Sequence, residues 1–189
     1  MAQLNKMKTI TFVTGNESKL KDAQKFLSSD ELEVIARKLE LLEIQSHSQE
    51  EIVTHKVKQA HTLAKTAVIV DDTSFYIDLY PGFPGTLTKH VNSLLGLEGI
   101  IKLYDEGQSA YFLTMLCYKD ENEEVIAKGV SKGRLTKKIS NIFNPDAPLN
   151  SIFIPDGYDR PLSELSFELG LGNIHRLNAF KDLKEKIYT

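Results

Sequence analysis

The chain has 189 residues, ordinary hydrophobic (41%) and charged (26%) content, and a formal net charge of −3 without a long basic run. It is long enough for one domain with a sizeable core or for two small lobes, and its mild acidity excludes duplex nucleic acid as the main partner, leaving room for a small phosphorylated ligand. No stretch approaches a membrane span, the opening MAQLNKMKTI lacks the apolar core of a signal peptide, and the single Cys117 sits in an apolar run as a structural thiol, so a cytoplasmic, reducing location is expected.

Residues 9–13 (TITFV) are rich in β-branched side chains and predict a first strand. It ends at Thr14-Gly15-Asn16, and Leu20, Ala23 and Leu27 then share one face of a helix that begins near Ser18. A strand, a glycine-containing turn and a helix N-terminus place backbone N–H groups at a sheet edge, a seat for an anion with Lys19 as its counter-charge. The same residues also read as a common turn followed by a solvated lysine. A second strand is expected around residues 34–37. Ser48 and Glu51 have capping-box spacing and open a long helix whose stripe is Ile52, Val53, Val57, Ala60, Leu63 and Ala64.

That helix feeds the apolar run Ala67-Val68-Ile69-Val70, which gives way to Asp71, Asp72, Thr73 and Ser74. A buried strand stopping there delivers paired acids to the carboxyl edge of a sheet, where α/β proteins bind ligands; a solvated turn accounts for the four residues equally well. Pro81-Gly82-Phe83-Pro84-Gly85 is a stiff double turn, followed by a helix around residues 89–95 and a shorter one around 100–104. Residues 110–119 and 125–135 predict a hairpin across a polar turn, with Tyr111, Phe112 and Tyr118 as core. Residues 139–149 are irregular, 151–154 form one more strand ended by Pro155-Asp156-Gly157-Tyr158, and a last helix runs from about 175 to 187. Alternating strands and helices followed by a hairpin predict an α/β fold with a mixed sheet and two lobes.

Carboxylates recur at the loop ends and on the first helix: Asp22, Glu43, Asp71 and Asp72. Such oxygens hold Mg²⁺, which bridges one or two carboxylates to substrate phosphates, although single acids are usually surface acids. Lys56 lies on the helix that starts just after Glu43, and His175-Arg176 opens the last helix, as a solvated cap or as an anion contact.

The order of short motifs is more specific than any one of them. Phe12-Val13-Thr14-Gly15-Asn16-x-x-Lys19-Leu20, Glu43-Ile44-Gln45, Val70-Asp71-Asp72-Thr73-Ser74, Gly82-x-Pro84-Gly85-x-x-x-Lys89, Gly133-Arg134, Phe153-x-Pro155-Asp156-Gly157-Tyr158, Ser163-Glu164-Leu165 and His175-Arg176 follow one another along the chain. This series resembles the inosine triphosphate pyrophosphatase family, also described as dITP/XTP pyrophosphatases. The resemblance implies a single domain over residues 1–189, with an elongated mixed sheet flanked by helices, two lobes around a central cleft, and usually a homodimer. It implies Mg²⁺-dependent hydrolysis of deaminated purine nucleoside triphosphates, such as ITP, dITP or XTP, to the monophosphate and pyrophosphate. Carried over, Thr14, Gly15, Asn16 and Lys19 seat the triphosphate, with Lys56 assisting and Thr73 as a further contact. Glu43 and Asp72 hold the metal, Asp72 orients or deprotonates the attacking water, and Asp71 and Asp22 support the metal-bound network. Leu149, Asn150, His175 and Arg176 fall in the base-reading half.

The departures gather in that half. Where the family carries Phe-Gly-Trp/Tyr-Asp-Pro, this chain reads Ala147-Pro148-Leu149-Asn150-Ser151, so an aromatic platform worth roughly 1–3 kcal/mol of base stacking is missing. The family's later lysine falls at Gly170, the serine before His175 is Ile174, and the tyrosine usual after Pro-Gly is Leu87. Two accounts fit: an active enzyme with altered base reading, or a nucleotide-binding homologue with little turnover and a regulatory role. Retention of the acids and lysines favours the first.

Overall fold

The β-branched opening forms β1 (Lys8–Phe12), and the turn after it leads into α1 (Glu17–Leu27), capped by the Asn16 side chain, which accepts from the Lys19 N–H. This computed structural model describes residues 8–169 and 173–187. β2 (Leu32–Ala36) pairs in parallel with β1, and α2 (Gln49–Ala64) returns the chain to β3 (Val68–Ile77), which is also parallel to β1. Parallel neighbours joined through helices are the α/β pattern the alternation predicts. β4 (Pro84–Gly85) pairs antiparallel with the end of β3; α3 (Thr88–Ile100) follows, then β5 (Ser109–Lys119), β6 (Glu124–Leu135) and β7 (Phe153–Pro155), which is antiparallel to β6. The mixed sheet has the order β2-β1-β3-β5-β6-β7, with β4 on β3. α4 (Leu162–Leu169) and α5 (Ile174–Ile187) complete the chain. Among the described residues no helix is long and apolar enough to cross a membrane.

The chain divides into two compact units. The first takes the described residues within Met1–Asp72, Thr114–Gly129 and Arg176–Thr189; the second takes Thr73–Leu113 and Val130–His175. Each has its own core. In the first, Phe12 and Val34 of the sheet meet Ala23 and Leu27 of α1 and Phe180 and Leu183 of α5, with Phe12 and Phe180 edge to face at 5.8 Å. In the second, Phe75, Phe112 and Phe153 form a three-ring cluster with centroids 4.7–6.2 Å apart, packed with Ile77, Leu135, Leu149 and Leu162.

Several elements depart from the sequence expectation. β3 does not stop at the acids but continues to Ile77, because Phe75, Tyr76 and Ile77 are strand formers and β4 pairs with Phe75 and Tyr76. The two helices expected around 89–95 and 100–104 are one segment broken at Gly96, whose φ of 59° only glycine adopts readily; residues after Ile101 are turns. Residues Pro148–Ser151 form a 3-10 turn, so the last strand begins at Phe153 rather than 151. α4 has no counterpart among the expected elements. At Ser48 only half of the capping box forms: the Ser48 hydroxyl accepts from the Glu51 N–H, while the Glu51 carboxylate takes the Ser46 hydroxyl at 2.6 Å.

Candidate active site

The first unit gathers most of the singled-out polar residues. Thr14 and Asn16 shape the turn after β1: the Thr14 hydroxyl accepts from the Asn16 N–H at 3.1 Å, and the Asn16 carbonyl oxygen caps α1. Gly15 is exposed at this turn, and Lys19, in the first turn of α1, points to Asp71, with Nζ 2.8 and 3.1 Å from its two carboxylate oxygens. Asp71 is only 6% exposed. Burial pushes its carboxyl up, but Lys19, Arg176 and Lys56 outweigh that, and it is held below the ordinary carboxylate range.

Asp72 is set the other way. Burial raises its carboxyl, the charges of Asp71 and Glu43 raise it further, and Lys56 with a hydrogen bond from the Gln49 side chain only partly opposes them. Neighbouring side chains on a strand leave on opposite faces. Two acids adjacent in sequence therefore meet different surroundings, one paired with Lys19 and one buried where Lys56 only partly offsets burial and the neighbouring acids.

α2 supplies the rest of this wall. Lys56 Nζ donates to the Asp71 carbonyl oxygen at 2.9 Å and lies 3.2 Å from Glu43 Oε1. Glu43 itself sits on an extended, exposed stretch without regular structure. Its place is fixed one residue earlier: the Gln59 side-chain amide accepts from the Leu42 N–H at 2.9 Å and donates to the Leu42 carbonyl at 2.8 Å. Gln49, buried at the start of α2, donates to the Asp72 carbonyl oxygen at 3.0 Å. Neither glutamine stands out in the sequence, where a helical Gln reads as a solvated polar position.

Asp22 and Arg176, expected as a metal acid and a substrate contact, are paired with each other: Arg176 is 6% exposed and lies 3.1 Å from Asp22. Burial raises the Asp22 carboxyl, and Arg176 opposes that shift. Asp22 thus faces a guanidinium. Among the described residues no group of three or more His, Cys, Asp or Glu side chains is arranged to hold a metal ion. Mg²⁺ commonly takes only one or two protein carboxylates and completes its shell with water and phosphate oxygens. Asp72 and Glu43, hard oxygen donors whose charges act on one another, fit that requirement; the Asp22 carboxylate is shared with Arg176.

In the second unit, Thr73 is half-buried next along β3. Leu149, 5% exposed, belongs to the hydrophobic core, and Asn150 is buried with its amide donating to Asn173 Oδ1 at 2.9 Å. His175 is 2% exposed, its ring stacked on Phe112 at 4.8 Å and 18°, so it is a core histidine rather than an exposed cap. Gly170, where the family's lysine would fall, lies outside the described residues.

Comparison with known proteins agrees with the motif order. The model of the Ham1 family matches residues 10–186. A dITP/XTP pyrophosphatase of Saccharolobus solfataricus is 32% identical over 178 residues, covering 93% of this chain and 92% of its own. An inosine triphosphate pyrophosphatase of Candida glabrata is 32% identical over 194 residues, covering 95% and 97%. The solved structure of a HAM1 protein from Coxiella burnetii shares the fold with a TM-score of 0.82 at 18% identity, covering 96% of this chain and 99% of that one.

Proposed function

Since the chain belongs to the Ham1 family, we propose that it is a nucleoside triphosphate pyrophosphatase acting on deaminated purine nucleotides such as ITP, dITP or XTP. The observation that carries this reading is the opposed setting of two neighbouring acids: Asp71 paired with Lys19 at 2.8 Å and held low, Asp72 raised chiefly by burial, with the charges of Asp71 and Glu43 adding to it. Titratable neighbours pushed apart in this way mark acid–base machinery.

In this reading the Thr14-Gly15-Asn16 turn and the α1 N-terminus receive phosphate oxygens through backbone N–H groups. Lys19, fixed in direction by Asp71, presents its remaining ammonium hydrogens to the same phosphates, and Lys56 adds a second positive charge. A water attacks the α-phosphorus, the bond from that phosphorus to the β-phosphate oxygen breaks, and pyrophosphate leaves. Asp72 accepts the proton of the attacking water; burial raises its carboxyl, which makes it a better base than an ordinary aspartate. Asp72 and Glu43 would hold Mg²⁺, which supplies charge neutralisation on the phosphates and acidification of water. Asp71 and Asp22 act behind this layer, as counter-ions that keep Lys19 and Arg176 in place. The family resemblance extends the reading to a homodimer, which sedimentation equilibrium tests.

The decisive experiment measures pyrophosphate release from ITP, XTP, dUTP and the four common NTPs with Mg²⁺, for the wild type and Asp72→Asn. Turnover concentrated on ITP and XTP and abolished in the variant is expected. Turnover of none of them, or equal rates in both proteins, refutes the reading; nucleotide binding without turnover would instead identify a regulatory homologue.

A further inference from the structure

Gln49, Lys56 and Gln59 lie seven and three residues apart on α2, the separations that bring side chains onto one helical stripe. All three reach across to the two segments that carry the acids. Gln49 and Lys56 hold the consecutive carbonyls of Asp72 and Asp71, at 3.0 and 2.9 Å. Gln59 grips both backbone polar atoms of Leu42, at 2.8 and 2.9 Å, and its amide also lies 2.9 Å from His55 Nδ1. Glu43 follows Leu42 directly, on a stretch that no strand or helix supports. A paired amide contact of this kind fixes both position and orientation of the peptide it holds, whereas a single bond leaves a rotation free.

We propose that this polar stripe of α2 is a jig that sets the gap between Asp72 and Glu43, with Gln49 and Gln59 as positioning residues. Gln49 locates the backbone from which the Asp72 carboxylate projects, and Gln59 locates the backbone from which Glu43 projects. Both are referred to one rigid helix, so the two carboxylates keep a fixed separation although they come from a strand and an irregular segment. Lys56, between the two glutamines, supplies the charge that tolerates two acids in one place. The inference rests on the pyrophosphatase reading for what the gap is used for, but the positioning itself is a property of the chain. A sequence that needed α2 only to cover the sheet would satisfy those carbonyls no better with glutamine than with water, since α2 already packs through Ile52, Val53, Val57 and Ala60.

The test compares the wild type with Gln49→Met and Gln59→Met, which keep side-chain length but remove the amide, and with Gln59→Glu, which keeps the acceptor for the Leu42 N–H and loses the donor. Loss of an outer partner that orients a metal-holding carboxylate typically costs about 10–100-fold in metal affinity or activity. The expected result is a fall of about 10-fold or more in kcat for each Met variant, with KM for ITP within about twofold. Gln59→Glu falls between Gln59→Met and wild type. Mn²⁺ affinity in the presence of pyrophosphate, read by water-proton relaxation, weakens in parallel, and amide hydrogen exchange quickens at residues 41–44 in Gln59→Met and at 71–73 in Gln49→Met. Unchanged kcat and Mn²⁺ affinity in both Met variants, or a change confined to KM, overturns the proposal. So does exchange that quickens across the whole chain, which marks the glutamines as merely structural. If the wild type itself turns over no nucleotide, the pyrophosphatase reading fails, and the Mn²⁺ and exchange measurements still decide the positioning role.

Discussion

Lys19→Met is the sharpest probe of how the acid wall is held together. Its side chain is 28% exposed and its partner Asp71 only 5% on the side chain, with 2.8 Å between Nζ and Oδ2. Removing the lysine leaves a buried carboxylate without its nearest charge, and breaking a buried pair from one side costs roughly 3–5 kcal/mol. Arg176 and Lys56 still act on Asp71, and Lys19 is partly wet, so the lower end, about 3 kcal/mol, is expected. For a chain of this size each kcal/mol moves Tm by about 2–4 °C, giving a drop of about 6–12 °C. Lys19→Met/Asp71→Asn, which removes the stranded charge, should recover most of that loss. The pH dependence has a definite sign. Asp71 is held below its unfolded value of 3.8, so its contribution is fully present above that value and disappears as pH falls through the lower folded one. The gap between wild type and Lys19→Met should therefore be wide at neutral pH and close in strong acid. Thermal unfolding followed by circular dichroism measures all of this. A Tm change under about 2 °C, or a double variant no more stable than the single one, refutes the account of Asp71 as the counter-ion of Lys19.

Asp72→Asn should raise Tm at neutral pH while abolishing turnover. An acid whose carboxyl is raised in the fold binds more protons there than in the unfolded chain, so stability declines as pH climbs through that window and the cost persists above it; the wild-type and variant Tm values should converge below about pH 4. Gly133→Ala should be destabilising by roughly 1–3 kcal/mol or more in urea unfolding, since a Cβ there would fall on the Ile154 carbonyl oxygen and 2.9 Å from Pro155 Cα, both backbone atoms of the paired strand. Cys117 is fully buried and burial pushes its thiol up to about 12, so a thiol reagent should react with the native protein only as fast as the chain unfolds.

The elements that were legible in the sequence are those whose own residues carry the signal. β-branched β1, the amphipathic α2 with its Ser48 cap, and the hairpin with its Asp120 turn follow from pattern and turn chemistry alone, and all three stand within a residue or two of expectation. The misses arise where a partner decides. Asp71 through Ser74 resemble a turn locally, yet the chain beyond them is drawn into the sheet by β4, so β3 runs ten residues. α4 has eight residues and follows a proline turn, too short for its periodicity to separate it from a loop.

The candidate site is legible by residue type, while the roles proposed for its residues come from the family resemblance and from packing rather than from residue type alone. Lys19, Lys56, Glu43, Asp71 and Asp72 stand out because charged groups next to apolar strands and helix starts are chemically conspicuous. What each does depends on which group lies opposite, and that is set by tertiary packing. Asp22 reads as a metal acid, and Arg176, 154 residues away, lies against it; His175 reads as an anion contact or a solvated cap, and its ring lies buried on Phe112. Gln49 and Gln59 give no sequence signal at all, because their partners are backbone atoms and every residue has those. The two aspartates make the case most directly. They have the same side chain and adjacent positions, and only the family resemblance, not residue type or spacing, tells them apart. The strand's alternation gives Asp71 to Lys19 and leaves Asp72 buried where the charges of Lys56, Asp71 and Glu43 act on it. On the proposed reading one is then a fixed counter-ion and the other the base that activates water, so the division of labour in this wall follows from the extension of β3 through the acids, which a strand stopping at Val70 would have lost.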